Sequence, residues 1–314
     1  MIESRAGHAS AMALPYAADP VSTEQDLVTL RLAIAGTRHG GGPRRLAKQL
    51  RSGGAEALAH VYRQLPPVLR GHVDEEAESL AAAGITALTL GQDGYPPLLA
   101  SIPQAPPALF IAGDRRLLLS RCLGMCGSRR ASVEGLRAAH ACGDEVARVG
   151  LTVVSGYARG VDMEAHRATL MAGGRTVAVL PEGIAGFMRR HWQDMDEWEP
   201  DRVTAVSQFS PTQPWSVGTA MARNTSIVGL SLGLVVVEAG EKGGTLNAGH
   251  RALSAGRPVF TLQFGHETPP GNQLLIERGA VPVRSGAEMI SRLNSIPDPA
   301  NQSEPHLQYH EMIR

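Results

Sequence analysis

The sequence predicts an α/β protein built on a parallel sheet with helices on both faces. Two patterns lead there. Short, β-branched and almost wholly apolar segments recur beyond residue 120, the mark of strands buried on both sides. Helical stretches such as Val133–Arg148 and Asp162–Ala172 separate them, which is the crossover connection that parallel strands need. A third observation is chemical. The chain leaving one strand reads Val154-Ser-Gly-Tyr-Ala-Arg-Gly-Val-Asp-Met-Glu-Ala-His166, with two glycines bracketing Arg159 just before a helix start at Asp162. Backbone N–H groups and a guanidinium converge there, in the outline of a phosphate site.

Taken in order, residues 1–22 mix Ala, Pro, Ser and His without period and read as a flexible leader. Over 23–72 the pattern is helical. Leu27, Leu30, Leu32 and Ile34 mark a first helix, Leu46 to Leu50 a second, and Ala55 to Leu65 a third. Between the first two lies Gly40-Gly-Gly-Pro-Arg-Arg-Leu-Ala-Lys48, where Pro43 suits the first helical position. Arg44 and Arg45 beside that turn fit either a DNA-backbone contact or a plain helix-packing joint. Residues 73–118 form a linker or extension of the sheet domain. Its prolines, in Tyr95-Pro-Pro-Leu-Leu99 and Pro106-Pro-Ala-Leu-Phe110, argue against regular helix and for extended edge structure.

The sheet domain spans 119–292. Strands are expected near Cys122–Cys126, Leu151–Val154, Thr176–Leu180, Val203–Val206, Leu234–Glu238, Pro258–Leu262 and Ala280–Val283, with a tail over 293–314.

Composition narrows the class. At 314 residues, 43% hydrophobic and 19% charged, the chain can bury a full α/β core and leave one smaller domain of about 50 to 100 residues. The formal net charge is zero, so a polyanion site has to come from a local cluster. Of thirty basic residues only Lys48 and Lys242 are lysines, and one of them stands in a glycine-rich turn. Cys122, Cys126 and Cys142 form no even framework and lack the second ligand pair of a zinc site, so they read as reduced core residues. No cofactor or metal motif is present. The longest apolar run, Ile227–Ala239, is interrupted by Gly229, Ser231 and Gly233, and no signal-type segment opens the chain. A cytoplasmic protein is expected.

In a parallel sheet, ligands bind beyond the carboxyl ends of the strands. Four segments fall there: Gly127, Ser128, Arg129 and Ser132; Ser155, Gly156, Arg159 and Gly160; Arg223 and Asn224; and Lys242, Gly243, Gly244 and Thr245. Together they place Arg129, Arg159, Arg223 and Lys242 on one rim, which suits an extended polyanion better than a single nucleotide. Tyr157 is the best stacking platform for a base, with Trp192 and Trp215 behind it. Asp162 reads as a helix cap and Glu238 as a strand end that steadies the next turn. His166 reads as structural, because no nucleophile or metal partner shares its spacing.

At these residues the chain resembles the DNA-processing protein A family (DprA, also called Smf). The likeness rests on Tyr95-Pro-Pro-Leu-Leu99 with Pro106–Phe110, Gly127-Ser-Arg129 with Ser132, Val154–Asp162 with Ala165-His166, and Gly173-Gly174 before Thr176–Leu180. It continues through Arg223-Asn224, Val236-Val-Glu-Ala239, Gly244-Thr-Leu-Asn-Ala248, Gly256-Arg-Pro-Val259 and Gly271–Ile276. It implies an extended Rossmann-like, doubly wound, mostly parallel sheet behind a small SAM-like helical domain. It also implies a homodimer that binds single-stranded DNA and helps load a RecA-type recombinase in DNA uptake and recombination.

The chain departs from the family pattern in several places. Thr225 stands where a second arginine is usual, and Met221-Ala222 replaces Phe-Pro. Pro181-Glu-Gly-Ile184 replaces a glycine-rich turn, with Glu182 expected to repel phosphate. Too few residues follow Gly286 for a winged helix. These differences describe a divergent member and leave open a nucleotide or nucleic-acid sensor, or an antitoxin, in a defence module. A hydrolase similar to the LOG phosphoribohydrolases is disfavoured, because Ala248 stands where their glutamate would be.

Overall fold

The structure is a computed structural model that describes residues 23–191, 201–264 and 268–296. The leader, Trp192 and the tail from residue 297 lie outside the described residues. Four helices come first: α1 (Glu24–His39), α2 (Pro43–Gly53), α3 (Glu56–Arg63) and α4 (Pro67–Ala82). They lead into β1 (Ile85–Thr89), α5 (Pro97–Ala100), β2 (Ala108–Gly113) and a 3-10 turn, Arg115–Leu119. Alternation then sets in: β3 (Cys122–Cys126), α6 (Val133–Arg148), β4 (Thr152–Ser155), α7 (Val161–Met171), β5 (Arg175–Val179), α8 (Ile184–His191) and β6 (Val203–Ser207). It continues through α9 (Val217–Leu230), β7 (Leu234–Val236), α10 (Gly244–Ser254), β8 (Val259–Leu262), α11 (Pro270–Ile276), β9 (Val281–Val283) and α12 (Gly286–Asn294).

The nine strands form one sheet in the order β1-β2-β6-β5-β4-β3-β7-β8-β9. From β6 to β9 every neighbouring pair is parallel, while β1 with β2 and β2 with β6 are antiparallel. The mostly parallel α/β sheet expected from the sequence is therefore present. Strands β3 to β6 step outward in one direction; the chain then returns and adds β7 to β9 on the other side of β3. The point of reversal, between β3 and β7, is where an open α/β sheet leaves a crevice for ligands.

Alternation along single strands separates the two faces. On β3, Cys122 and Cys126 pack with Leu99, Ile227, Leu246 and Ala252 on one side. Leu123 and Met125 pack with Ala139, Val146 and Ala165 on the other. The helical N-terminal part is joined to this core: Leu30 and Ile34 of α1 lie against Phe110 and Ala205, and Leu46 and Leu50 of α2 share a cluster with Leu109 and Ile111. All three cysteines are buried and free.

The stretch around the prolines supplies the extended edge structure expected of it, as β1 and β2 paired from Ile85↔Ala112 to Thr89↔Ala108, and departs from expectation in holding a one-turn helix, α5. Pro97 starts that helix because the first helical N–H needs no partner. Helix α4 was not anticipated either. It runs through position 72 to Ala82 with Val73, Ala77 and Leu80 buried, a stripe that the intervening acidic run Asp74-Glu-Glu76 obscures. Strand β7 ends at Val236, so Glu238 belongs to the loop that follows. Among the described residues no helix is long and apolar enough to cross a membrane, and no cluster of His, Cys, Asp and Glu is placed to hold a metal ion.

Candidate nucleic-acid interface

The loops after β3, β4 and β7 meet at the crevice, held by hydrogen bonds between them. Val161 N–H donates to Ser128 O (3.2 Å) and Val237 N–H to Cys126 O (3.0 Å). Ser155 Oγ donates to Met125 O (2.6 Å) and Thr245 Oγ1 to Gly127 O (2.9 Å). Asn224 Nδ2 donates to Gly244 O (3.0 Å), tying α9 to the start of α10. Glu238 Oε2 accepts from both N–H and Oγ of Ser132 (3.0 and 2.7 Å), and Ser132 Oγ accepts from Gly135 N–H (2.9 Å) as the cap of α6. The hydroxyls of Ser132, Ser155 and Thr245 thus shape the loops, with their bonds made inside the protein.

Two glycines let these loops close. A β-carbon on Gly127 would overlap Val161, and Gly160, at φ +82°, approaches Ser128 O too closely for any side chain. The fourth loop differs. Gly243 caps α10 at φ +114°, but Gly244 has ordinary backbone geometry, and its β-carbon would meet only Met221 Sδ at 3.7 Å. The fold thus requires glycine at 243 and leaves the surface above 244 open. No side chain caps α10, so its first-turn amides have no side-chain acceptor at the positive end of an eleven-residue helix.

Arg129, Arg159 and Lys242 are exposed around this opening, and so is Arg130, which sequence reasoning passed over although it adjoins the Gly-Ser-Arg motif. Glu134 and Glu241 are exposed nearby and partly offset them. Arg223 is not on the rim, which corrects the four-cation reading. It is 5% exposed and lies flat against Gly156, where a β-carbon would overlap its guanidinium. Its Nη1 is 3.9 Å from Asp162 Oδ2. An arginine beside Asn224 and Thr225 reads as surface, and only the packing of α9 against the sheet buries it.

Asp162 does not cap α7; Gly160 stands at that position. Instead its buried carboxylate accepts from Ala158 N–H (3.4 Å). Burial raises its carboxyl above the ordinary range, opposed by the Arg223 charge and by the Ala158 and Gly156 amides. His166 lies beneath, its Nδ1 2.5 Å from Thr176 Oγ1. Thr176 Oγ1 donates onward to Val153 O (3.1 Å), so His166 Nδ1 carries the proton that Thr176 accepts. Burial, and then the Arg223 charge, push the imidazole down to about 3, so it is neutral and structural.

Tyr157, the favoured stacking platform, holds a left-handed φ of +55°, and its half-buried ring packs edge-on against Phe187 at 5.1 Å. Among the described residues the exposed aromatic is Trp215, 49% exposed before α9. Glu182, expected to repel phosphate, is buried. Ala248, at the position a hydrolase would fill with a carboxylate, is buried too.

This fold and loop set can be compared with known proteins. The family model of DNA recombination-mediator protein A matches residues 86–294. The chain belongs to this family. It is 31% identical to the DNA processing protein DprA of Bacillus subtilis over 240 residues, 75% of this chain and 78% of that one. With protein Smf of Escherichia coli the identity is 36% over 202 residues, 63% of this chain and 54% of the relative. Among solved structures, DprA from Streptococcus pneumoniae superposes with a TM-score of 0.66 at 24% identity, covering 87% of this chain and 98% of that chain. DNA processing protein A from Helicobacter pylori, described with a single-stranded DNA binding mode, superposes at 0.59 and 22% identity, over 66% of this chain and 95% of that chain. The shared fold is the extended doubly wound sheet. Membership of the family rests on the sequence matches.

Proposed function

We propose that this protein is a DprA-type recombination mediator that binds single-stranded DNA in the crevice beyond β3, β4 and β7. The observation that carries the reading is the uncapped N-terminus of α10 under an open Gly244, with Lys242, Arg129, Arg130 and Arg159 exposed around it. Backbone amides and flexible cations on a polar rim grip phosphates without reading bases, as strand binding of this kind needs. The family match and the single-strand binding of the Helicobacter pylori protein support the same ligand. By family likeness, the protein works as a homodimer in the cytoplasm and delivers the strand to a RecA-type recombinase.

The site is built for binding. Glu238 is engaged by Ser132, His166 is buried and neutral, and Ala248 offers no carboxylate. None of these three positions supplies a free general acid or base, which disfavours the hydrolase reading.

Fluorescence anisotropy with oligo-dT and a matched duplex tests the proposal. Single strands are expected to bind more tightly, with log affinity falling steeply against log salt. Arg159→Ala should cost about 1–3 kcal/mol, the scale of one charge-assisted hydrogen bond. Equal affinity for duplex, or a flat salt response, refutes it.

A further inference from the structure

Beyond the strand-end crevice, the helical N-terminal part carries a second basic surface. Helix α2 reads Pro43-Arg-Arg-Leu-Ala-Lys-Gln-Leu-Arg-Ser-Gly53, with no acid along its length. Leu46, Ala47 and Leu50 are buried, while Arg44, Arg45 and Lys48 are exposed. None of these three cations has an ion-pair partner among the described residues, in contrast to Arg38, which pairs with Glu76, and Arg63, which pairs with Glu56. Arg44 and Arg45 also stand in the first helical turn, where positive charge opposes the helix dipole, and Gly42 supplies no side-chain cap. This helix therefore collects cations at the end where its own stability disfavours them.

The position of α2 connects it to the crevice. Arg38, near the end of α1, donates from Nε to Ser210 Oγ (3.0 Å) and from Nη2 to Thr212 Oγ1 (2.9 Å). Those residues follow β6, so the α1–α2 turn lies at the carboxyl edge of the sheet. The same segment is anchored over the end of β5 by Gly183 N–H to Gln213 O (2.8 Å) and Ala185 N–H to Pro211 O (3.0 Å). Three residues past Thr212 stands Trp215, its ring open to solvent. Across the sheet edge, the order runs from Arg129 and Arg159 at β3 and β4, over the 210–216 segment at β5 and β6, to α2. Adjacent strands lie about 4.8 Å apart, so β4 and β6 are separated by about 10 Å.

Resting on the single-strand reading of the crevice, we propose that the bound DNA strand continues out of it across Trp215, which stacks a base, to the phosphate-binding face formed by Arg44, Arg45 and Lys48. Charge complementarity selects the occupant: three unpaired cations on two helical turns fit a phosphate backbone. An aromatic face midway suits a strand whose bases are unpaired.

Length dependence tests this. Affinity is measured for oligo-dT of about 6 and about 20 nucleotides, using wild type, R44E/R45E and Trp215→Ala. Wild type should bind the long strand more tightly. The R44E/R45E variant should bind it at least tenfold more weakly, with a salt slope lower by about 1.4 for two lost phosphate contacts, while the short strand is unaffected. Its melting temperature should hold or rise, because acids suit a helix N-terminus. Trp215→Ala should weaken the long strand about tenfold and Trp215→Phe should restore it. Wild-type affinity and slope in R44E/R45E overturn the proposal, as does equal weakening at both lengths or a wild type that does not discriminate length. A wild type that binds neither length refutes the crevice reading, and this extension with it.

Discussion

Arg223 and Asp162 face each other 3.9 Å apart at the top of the sheet, with side chains 7% and 6% exposed. Arg223 comes from α9 on one face and Asp162 from α7 on the other, so the pair joins the two helical layers beneath the loop Ser155–Gly160. Removing one partner strands a buried charge. Asp162→Asn is expected to destabilise the fold by about 3–5 kcal/mol in urea unfolding. Arg223→Lys should not be tolerated better than Arg223→Ala, because an ammonium cannot lie flat against Gly156. Near-wild-type stability in Asp162→Asn would show that the pair holds nothing together.

The glycines of two loops should fail in opposite ways. Gly156→Ala drives a β-carbon into the Arg223 guanidinium and is expected to lower stability by about 2 kcal/mol or more. Gly244→Ala meets only ordinary contact and replaces glycine in a helix, so stability should stay level or rise by up to about 1 kcal/mol. Its strand affinity should nonetheless fall, because the methyl group stands where a phosphate approaches the α10 amides. Parallel thermal melts and anisotropy titrations separate the two. Unchanged affinity in Gly244→Ala removes the α10 terminus from the site.

His166 makes stability acid-sensitive. Its imidazole takes a proton at about 3 in the folded state against 6.5 in the unfolded chain. Below 6.5 the unfolded chain binds the proton and the folded one does not, so this contribution is intact above 6.5 and is lost as pH falls toward 3. The loss is about 1.4 kcal/mol per pH unit within that window. Asp162 runs the other way, because its raised carboxyl takes a proton in the folded state first. Between pH 7.5 and 5, His166→Gln should flatten the stability profile by about 2 kcal/mol relative to wild type. Parallel profiles for the two proteins would contradict the buried neutral imidazole.

Lys242 is exposed in a loop that needs glycine only at 243. Lys242→Ala should lose one phosphate contact, lowering the salt slope by about 0.7 for single-stranded DNA with no change in melting temperature. Wild-type slope and affinity would make it a solvated surface lysine.

The sequence by itself determined the strands from β3 onward, the parallel sheet and the loops that hold Arg129, Arg159 and Lys242. Those features are written in local chemistry: apolar β-branched runs, glycines where the chain turns, and cations beside them. It also carried the family resemblance through motifs whose order survives divergence. Tertiary structure alone decided the rest. Arg223 reads as one more rim cation until α9 packs against the sheet and buries it against Asp162. Tyr157 reads as an open platform until Phe187, thirty residues along the chain, packs against its ring, while Trp215 stays exposed. Prolines marked the stretch around β1 and β2 as extended edge structure, but the pairing, β1 with β2 and β2 with β6 about ninety residues away, depends on the whole fold. Periodicity records which face of an element is apolar. Which partner covers that face, and which charge is buried under it, depends on contacts distant in sequence.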